Sequence, residues 1–191
     1  MKRKTAIKSI LALVTLGASS GALFEFLKHR ESIPLHLLPQ KKELIAELAE
    51  TIIPRTDTPG ARDVKVEDFI IKMISENADA KTQNSFLAGL ASLEHYTYNN
   101  YQKQFINCNA VQKAEVLKHF EEKETYSLDI LNKVSKKLLG PSFFYQLRDL
   151  TVEGYCTSSL GATKGMAYDY IPVNYEACIP LKKNQLAWAT K

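Results

Sequence analysis

Apolar residues recur at helical spacing along most of the chain, and the first strong example is the stretch Leu44–Ile53. Its apolar positions recur at three- and four-residue intervals, which places them in one stripe along an α-helix. Pro54 is expected to end this helix, because a residue that precedes proline avoids the helical conformation. The residues Thr56–Gly60 then supply the Asp, Pro and Gly chemistry that is typical of a turn.

A capping box predicts the start of another helix. Asn109 and Gln112 have the spacing at which each side chain can accept a hydrogen bond from the backbone N–H of the other residue. The apolar positions that follow on this helix are Val111, Val116, Leu117 and Phe120.

Further apolar stripes predict the remaining helices. One helix is predicted over Glu67–Glu76 and another over about Lys81–Glu94, and a later stripe spans Leu128–Leu139. Pro141 suits the first turn of a last long helix, which is expected to stop near Gly154.

The C-terminal residues lack this regular pattern. Thr157–Lys164 can form one short helix, whereas Tyr168–Tyr175 is expected to be an extended tail. The polar and aromatic stretch Tyr96–Tyr101 is predicted to be a loop or a frayed helix end. Because no strand pattern alternates, the chain is predicted to be all-α, with a single domain of about six helices and an irregular, extended C-terminal arm.

The pattern divides the chain into four regions. Residues 1–27 are expected to be an export signal or an N-terminal membrane anchor, and 28–40 a linker that Pro34 and Pro39 punctuate. Residues 41–155 are expected to form the helical domain, and 156–191 a C-terminal arm that docks on a partner.

The first region carries four cations, Lys2, Arg3, Lys4 and Lys8, followed by an uncharged stretch from 9 to 24. This order is typical of an export signal, so we expect a periplasmic protein at or anchored to the cytoplasmic membrane. The stretch is short for a bilayer span of roughly 20 apolar residues, but tilt or a thin membrane could admit it as an uncleaved anchor. A buried N-terminal helix is the remaining alternative.

The net charge of +4 belongs to residues 1–24, which contain these four cations and no acidic residue. The remainder of the chain is electrically balanced, with 25 − 4 = 21 basic residues against 21 acidic residues. A nucleic-acid-binding domain needs a basic face on its folded body. Nucleic acid is therefore not expected as a partner.

Motifs for catalysis and for cofactor binding are missing from the sequence. Neither GxGxxG nor GxxxxGK[ST] occurs, and no GxSxG motif surrounds Ser158 or Ser159. The histidines are scattered, and the three cysteines have neither CxxC nor CxxCH spacing. Asp149 and Glu153 share a helix face, where solvation or an ion pair with Arg148 is the simpler explanation. No catalytic residue, cofactor-binding residue or metal ligand is predicted in this chain.

The C-terminal arm is instead rich in aromatic residues. Tyr and Trp bury a large area and keep a polar group, so they suit a surface that is anchored on another protein. The alternative is that the arm folds back over its own helices. The aromatic residues concerned are Tyr155, Tyr168, Tyr170, Tyr175 and Trp188.

Two longer blocks of sequence resemble a known family. The first block is Glu47–Ala61, with the sequence ELAETIIPRTDTPGA, followed by Val64, Val66 and Phe69-Ile70; the second is Gly154–Ser158 (GYCTS), then Gly161–Thr163 (GAT) and Tyr175–Leu181 (YEACIPL). Together they are similar to the gluconate 2-dehydrogenase subunit 3 family, the small or gamma subunit of membrane-associated flavin-dependent sugar and alcohol dehydrogenases. The resemblance runs from about Leu44 to Trp188.

The resemblance implies a helical, non-catalytic subunit without a cofactor of its own. The partner would be a glucose–methanol–choline-type flavoprotein that holds FAD, oxidises a sugar, sugar acid or alcohol, and often passes electrons to a cytochrome c subunit that carries haem c. The small subunit would carry the export signal for the pair and assist the export and stability of the catalytic subunit. The residues expected to serve partner docking or disulfide bonding are Thr56, Pro59, Gly60, Tyr155, Cys156, Thr157, Ser158, Tyr175 and Cys178.

Two departures from the family pattern affect these expectations. The twin arginine of the family signal is here only Lys2-Arg3-Lys4, so both twin-arginine export and general secretion remain open. Cys156 replaces an aromatic residue, whereas Cys178 matches the family cysteine and is expected to bridge either to Cys156 or to the large subunit. Two alternative functions also remain: a membrane-tethered structural protein without a dehydrogenase partner, and a small redox protein with an unrecognised site.

Overall fold

The structure, a computed structural model, describes residues 33–124, 141–171, 178, 180, 181 and 183–189. The predicted export segment 1–27, the stripe Leu128–Leu139 and Tyr175 lie outside the described residues. The described residues all belong to one compact unit, Ser32–Lys191, and the prediction of a single helical domain is confirmed. Within the described ranges the α-helices are α1 (Lys42–Ile52), α2 (Val66–Lys72), α3 (Ala80–Tyr101), α4 (Ala110–Glu124) and α5 (Phe143–Thr157).

Short helical segments of other types connect these α-helices. The 3-10 helices are Leu35–Lys41 and Phe105–Asn107, and the π-helices are Met73–Asn77 and Gly161–Gly165. The β-structure seen in the described ranges is an isolated parallel bridge between Ala167 and Trp188. No helix in these ranges is both long enough and apolar enough to cross a bilayer.

The helix α5 lies at the centre of the fold and contacts each of α1, α2, α3 and α4. Its inward face carries Phe143 and Leu147 and, near its C-terminal end, Thr151, all of which are buried. The Thr151 hydroxyl donates to the Leu147 carbonyl at 2.7 Å, so this buried polar group is satisfied within its own helix.

The prediction that α5 stops near Gly154 is wrong. The helix runs on to Thr157, and Gly154 is buried within it against α2. A Cβ atom at this position would approach the Phe69 ring to 2.8 Å. Gly154 therefore allows α5 and α2 to pack closely. A glycine usually destabilises the interior of a helix, so from the sequence it suggested a helix end instead.

Helix α1 follows its prediction closely. Its apolar stripe is buried, and the helix ends at Ile52, just before Pro54. Glu43 remains exposed to solvent while Glu47 and Glu50 are half-buried, as their positions outside the stripe suggest.

The end of the predicted linker is structured. Residues 35–41 form a 3-10 helix, in which the Leu38 side chain is completely buried in the core. Lys41 at its end bonds to both oxygens of the Glu94 carboxylate on α3, at 2.8 and 2.9 Å. Sequence analysis did not predict this helix. The two prolines suggested a linker, and a single buried leucine gives no periodic pattern that would indicate a helix.

The predicted helix Glu67–Glu76 is present but changes its hydrogen bonding halfway. After α2, the backbone N–H of Ala78 bonds to the Met73 carbonyl at 3.0 Å, the wider spacing of a π-helix. The Gln83 side chain of α3 donates to the Ile74 carbonyl at 3.0 Å and so supports this widened turn.

The prediction of a loop or frayed end at Tyr96–Tyr101 is wrong, since α3 continues through it. Thr97 is fully buried, and its hydroxyl donates to the Leu93 carbonyl at 2.7 Å. The Tyr96 ring stacks on His119 of α4 with centroids 4.0 Å apart. Contacts with α4 thus stabilise a stretch whose own polarity favoured a loop.

The capping box of α4 is confirmed. The Asn109 side chain accepts from the Gln112 N–H at 2.9 Å, and the Gln112 side chain accepts from the Asn109 N–H at 3.1 Å. All four apolar residues lie on this helix; Val116, Leu117 and Phe120 are buried, whereas Val111 is 67% exposed. Val111 is five positions before Val116, and with 3.6 residues per turn this offset places Val111 on roughly the opposite side of the helix.

Candidate functional site

The structure brings the first sequence block and the beginning of the second block (residues 154–163) together where α5 meets the loop after α1. We call this place the junction: the loop Ile53–Asp63, Tyr155 with Ser158, and the π-helix Gly161–Gly165. Seven of the nine residues predicted for docking or disulfide bonding are near or within it: Thr56, Pro59, Gly60, Tyr155 and Ser158 belong to the junction, and Cys156 and Thr157 lie beside it at the end of α5.

Two carboxylates hold the loop of the junction. Glu50 accepts from the backbone N–H groups of Arg55 and Arg62 at 2.8 and 2.9 Å. Asp63 accepts from the N–H of Gly60 at 2.9 Å. Because each carboxylate satisfies loop N–H groups that would otherwise lack a partner in the protein, the loop has a defined shape.

The side chain of Arg62 connects the loop to α1 and, through α1, to α4. Its guanidinium bonds to Glu43 and Glu47, and the hydrogen bond to Glu43 raises the Arg62 pKa above its ordinary value. The second oxygen of Glu47 accepts from Lys113 at 2.7 Å. The Lys113 and Glu47 side chains are 13% and 19% exposed, so this pair is better shielded than a typical surface ion pair.

Tyr155 anchors α5 in the junction. It is 7% exposed, and its hydroxyl donates to the Pro59 carbonyl at 2.8 Å. Burial raises the pKa of this hydroxyl above its ordinary value, because the charged phenolate would lose its hydration. The candidate docking residue Tyr155 is therefore committed to the interior of this chain.

The π-helix Gly161–Gly165 packs closely on Tyr155. A Cβ atom at Gly165 would collide with the phenol group of Tyr155. Ser158, between α5 and the π-helix, donates to the Tyr155 carbonyl at 2.7 Å and accepts from the Gly161 N–H at 3.0 Å. The small residues of the second block thus allow the chain to fold tightly over the end of α5.

The remaining docking candidates in or beside the junction differ in exposure. Gly60 is buried and Pro59 half-buried, whereas Thr56 and Thr157 are exposed. The Thr56 hydroxyl bonds to Asp57 at 2.9 Å. The junction therefore presents a short exposed edge, and most of its polar groups are used to hold its own shape.

The described residues beyond Gly165 form a different surface, which we call the outer arm (residues 166–171, 178, 180, 181 and 183–189). Ala167 donates to the Ala187 carbonyl at 2.8 Å and accepts from the Ala189 N–H at 2.9 Å, so the two parts of the outer arm are joined beside Trp188. The large apolar side chains exposed here are Tyr168 (40%), Tyr170 (85%), Ile171 (70%), Leu181 (87%) and Leu186 (48%). Sequence analysis missed the three aliphatic residues among them, since they follow no regular spacing.

The three cysteines are free thiols in the structure. Cys108 is buried, Cys156 is half-buried on α5, and Cys178 is exposed in the outer arm. Of the two bridges expected for Cys178, the bridge to Cys156 is not formed in the structure, and the bridge to the large subunit stays a prediction.

Other groups considered for chemistry have structural partners. Asp149 pairs with Arg148 at 2.8 Å, which is one of the two explanations that sequence analysis gave for this carboxylate. His95 is within 2.8 Å of the Asn99 amide. Among the residues the structure describes, no group of three or more His, Cys, Asp and Glu side chains could hold a metal ion.

Comparison with known proteins adds one positive finding. The family model described as gluconate 2-dehydrogenase subunit 3 matches residues 39–174, which include the whole junction. No curated protein and no solved structure matches the chain. The matched range covers well over half of the chain, so the protein belongs to the gluconate 2-dehydrogenase subunit 3 family.

Proposed function

We propose that the chain is the non-catalytic small subunit of an FAD-dependent sugar, sugar-acid or alcohol dehydrogenase complex. The main support for this proposal is that the chain belongs to a family of dehydrogenase subunits. The catalytic partner is proposed to be a glucose–methanol–choline-type flavoprotein that holds FAD, with haem c in a third, cytochrome subunit. The role of this chain is to assist the export and the stability of the flavoprotein.

The outer arm is the proposed docking surface for the flavoprotein. Tyr170, Ile171 and Leu181 are each at least 70% exposed, and such side chains gain free energy when a partner removes them from water. Tyr170 also offers a hydroxyl for hydrogen bonding at the edge of an interface. Backbone hydrogen bonds of Ala167 with Ala187 and Ala189 join the two described parts of the arm that carry these residues.

Co-purification tests the docking surface. The full chain carrying Tyr170→Ser, Ile171→Ser and Leu181→Ser is expected to lose most of the flavoprotein that co-purifies with the unmodified chain. A matched variant of the helical body, Tyr98→Ser, Ile106→Ser and Val111→Ser, changes side chains that are also exposed, at 57%, 38% and 67%. It should retain the flavoprotein. Loss with the body variant alone would place docking elsewhere, and absence of any flavoprotein with the unmodified chain would overturn the proposed function.

Removal of residues 2–27 tests the export role. We expect the flavoprotein to accumulate in the cytoplasm when this chain lacks its cationic and apolar start, because the pair would leave the cytoplasm on one signal. Cell fractionation followed by flavin fluorescence measures the distribution. Unchanged periplasmic flavoprotein would contradict the role in export.

The division of labour has a separate test. The isolated chain is expected to show no visible absorption from flavin or haem and to oxidise no sugar or alcohol with an artificial electron acceptor. The complex measured in parallel should show both the flavin spectrum and the activity. Turnover by the isolated chain would show that it is catalytic.

A further inference from the structure

The last described residues of the chain are fastened to the start of the outer arm by two backbone hydrogen bonds. Ala167 donates to the Ala187 carbonyl at 2.8 Å and accepts from the Ala189 N–H at 2.9 Å. These are the two bonds of a parallel β-bridge, in which Ala167 is paired with Trp188. We call this pairing the clasp (Ala167 and residues 187–189). It closes the stretch between its two parts into a loop.

The clasp is anchored to the helical core through the π-helix Gly161–Gly165. Gly165 lies so close to the phenol group of Tyr155 that a Cβ atom there would collide with it. Ala167 follows Gly165 by two positions and is itself half-buried. The core therefore sets the position of Ala167, and the clasp holds the C-terminal residues at that same place.

Most of the exposed apolar side chains of the outer arm are close to the clasp along the chain. Tyr168, Tyr170 and Ile171 follow within four positions of its first member. Leu186 immediately precedes its C-terminal part. Because paired extended segments lie about 4.8 Å apart, the clasp brings together apolar side chains from two parts of the chain that are distant in sequence.

We propose that the clasp positions the outer arm for docking on the flavoprotein, an inference that rests on the proposed function. Without the clasp the two apolar segments would move independently, and the flavoprotein would have to bring them together against their conformational entropy. With the clasp this ordering precedes binding, so more of the free energy gained by burying the side chains remains for affinity. Ala167, Ala187 and Ala189 act here through their backbone groups, as positioning residues.

Trp188 reports on the clasp without a label. It is the single tryptophan of the chain, and it lies half-buried within the clasp. The emission of an indole ring shifts to longer wavelength when water surrounds the ring. Opening of the clasp should therefore red-shift the fluorescence of the isolated chain and increase its quenching by acrylamide. This measurement needs no partner protein.

Ala189→Pro tests the proposal in the full chain. Proline removes the N–H that donates to the Ala167 carbonyl, and it favours the extended conformation at Trp188 that the bridge already requires. We expect a red shift of the Trp188 emission and unchanged helical circular dichroism. Calorimetric titration should show that the flavoprotein binds about fivefold to tenfold more weakly, because the two segments are no longer preorganised.

Ala187→Pro is the matched control. The bridge uses the carbonyl of Ala187 and not its N–H, so this variant keeps both hydrogen bonds of the clasp. The Trp188 emission and the affinity for the flavoprotein should both stay unchanged. As a second test of the clasp, removal of residues 187–191 should weaken binding to the same extent as Ala189→Pro.

The two readouts of Ala189→Pro decide the inference together. A red shift without loss of affinity would show that the clasp has no part in docking. Loss of affinity without a red shift would show that the substitution acts elsewhere, and no change in either readout would equally overturn the inference. In each of these cases the unmodified chain still binds the flavoprotein, whereas failure of the unmodified chain to bind would overturn the proposed function itself.

Discussion

The junction and the outer arm contain similar residues but use them in opposite ways. In the junction Tyr155 is 7% exposed, and its hydroxyl donates to the Pro59 carbonyl. In the outer arm Tyr170 is 85% exposed. An aromatic residue in the C-terminal part of the chain can therefore serve the fold of its own chain or remain available for contact with another chain. Burial separates the two roles.

This contrast changes the interpretation of the second block. Tyr155 and Ser158 were expected to contribute to docking, but their polar groups bond within the junction. The exposed aliphatic residues Ile171 and Leu181, which the docking candidates did not include, are available to a partner. Variants that compare stability with partner binding can test whether this separation holds.

Truncation of Tyr155 should have the largest effect. We expect Tyr155→Ala to lower the free energy of unfolding by about 3–5 kcal/mol, because it removes a buried aromatic ring and leaves a cavity. Urea unfolding followed by circular dichroism measures the change. Tyr170→Ala is the matched control in the outer arm and should change the free energy of unfolding by less than about 0.5 kcal/mol. Similar losses for both variants would remove the distinction between the two regions.

Loss of a loop-holding carboxylate should have the next largest effect. Glu50→Gln keeps the shape of the side chain, but its NH2 group cannot accept a hydrogen bond. One of the two bonds from the Arg55 and Arg62 N–H groups is therefore lost, and the other is no longer strengthened by a negative charge. We expect a loss of about 1.5 kcal/mol in the free energy of unfolding. The exposed Glu76→Gln is the control and should be nearly neutral. A neutral Glu50→Gln would mean that the loop does not need this carboxylate.

Removal of the Tyr155 hydroxyl should cost less and should depend on pH. Tyr155→Phe loses the bond to the Pro59 carbonyl, and we expect a loss of about 1 kcal/mol at neutral pH. The folded-state pKa of Tyr155 is raised above its ordinary value of 10.0. Its stabilising contribution is therefore fully present below pH 10 and is lost as the pH rises from 10 through the raised, folded-state pKa.

The stability difference between the unmodified chain and Tyr155→Phe should therefore narrow above pH 10. Tyr101, whose bond to Glu115 raises its pKa to about 12, is present in both proteins and cancels in this comparison. Unfolding measured from pH 8 to pH 11 tests the prediction. If the difference in the free energy of unfolding between the two proteins stayed constant across this range, burial of Tyr155 would not raise the pKa of its hydroxyl.

The smallest expected effect on stability belongs to the outer arm. The combined variant Tyr170→Ser, Ile171→Ser and Leu181→Ser should change the free energy of unfolding by less than about 0.5 kcal/mol, because these side chains are already in water. Thermal unfolding of the purified variant provides the measurement. If the same variant also loses the flavoprotein, the loss reflects docking, whereas a large drop in stability would assign these residues to the fold.

Local features of the sequence were sufficient where neighbouring residues decide the structure. The apolar stripe of α1, its end before Pro54 and the reciprocal bonds of Asn109 and Gln112 were predictable, since each depends on contacts within one turn. The loop predicted at Tyr96–Tyr101 was wrong because α4 stabilises that stretch from a distance. The buried position of Leu38 has no signal in the sequence.

The sequence alone determined the all-α class, the family, the end of α1 and the start of α4. Periodicity, caps and prolines act over short distances along the chain, so they fix such local features. Tertiary structure decided which residues of the two blocks are buried. Tyr155 and Pro59 are far apart in sequence, and their hydrogen bond exists because α5 packs centrally against α1 and α2. Whether an aromatic side chain meets its own chain or remains in water depends on this packing, which no local pattern records.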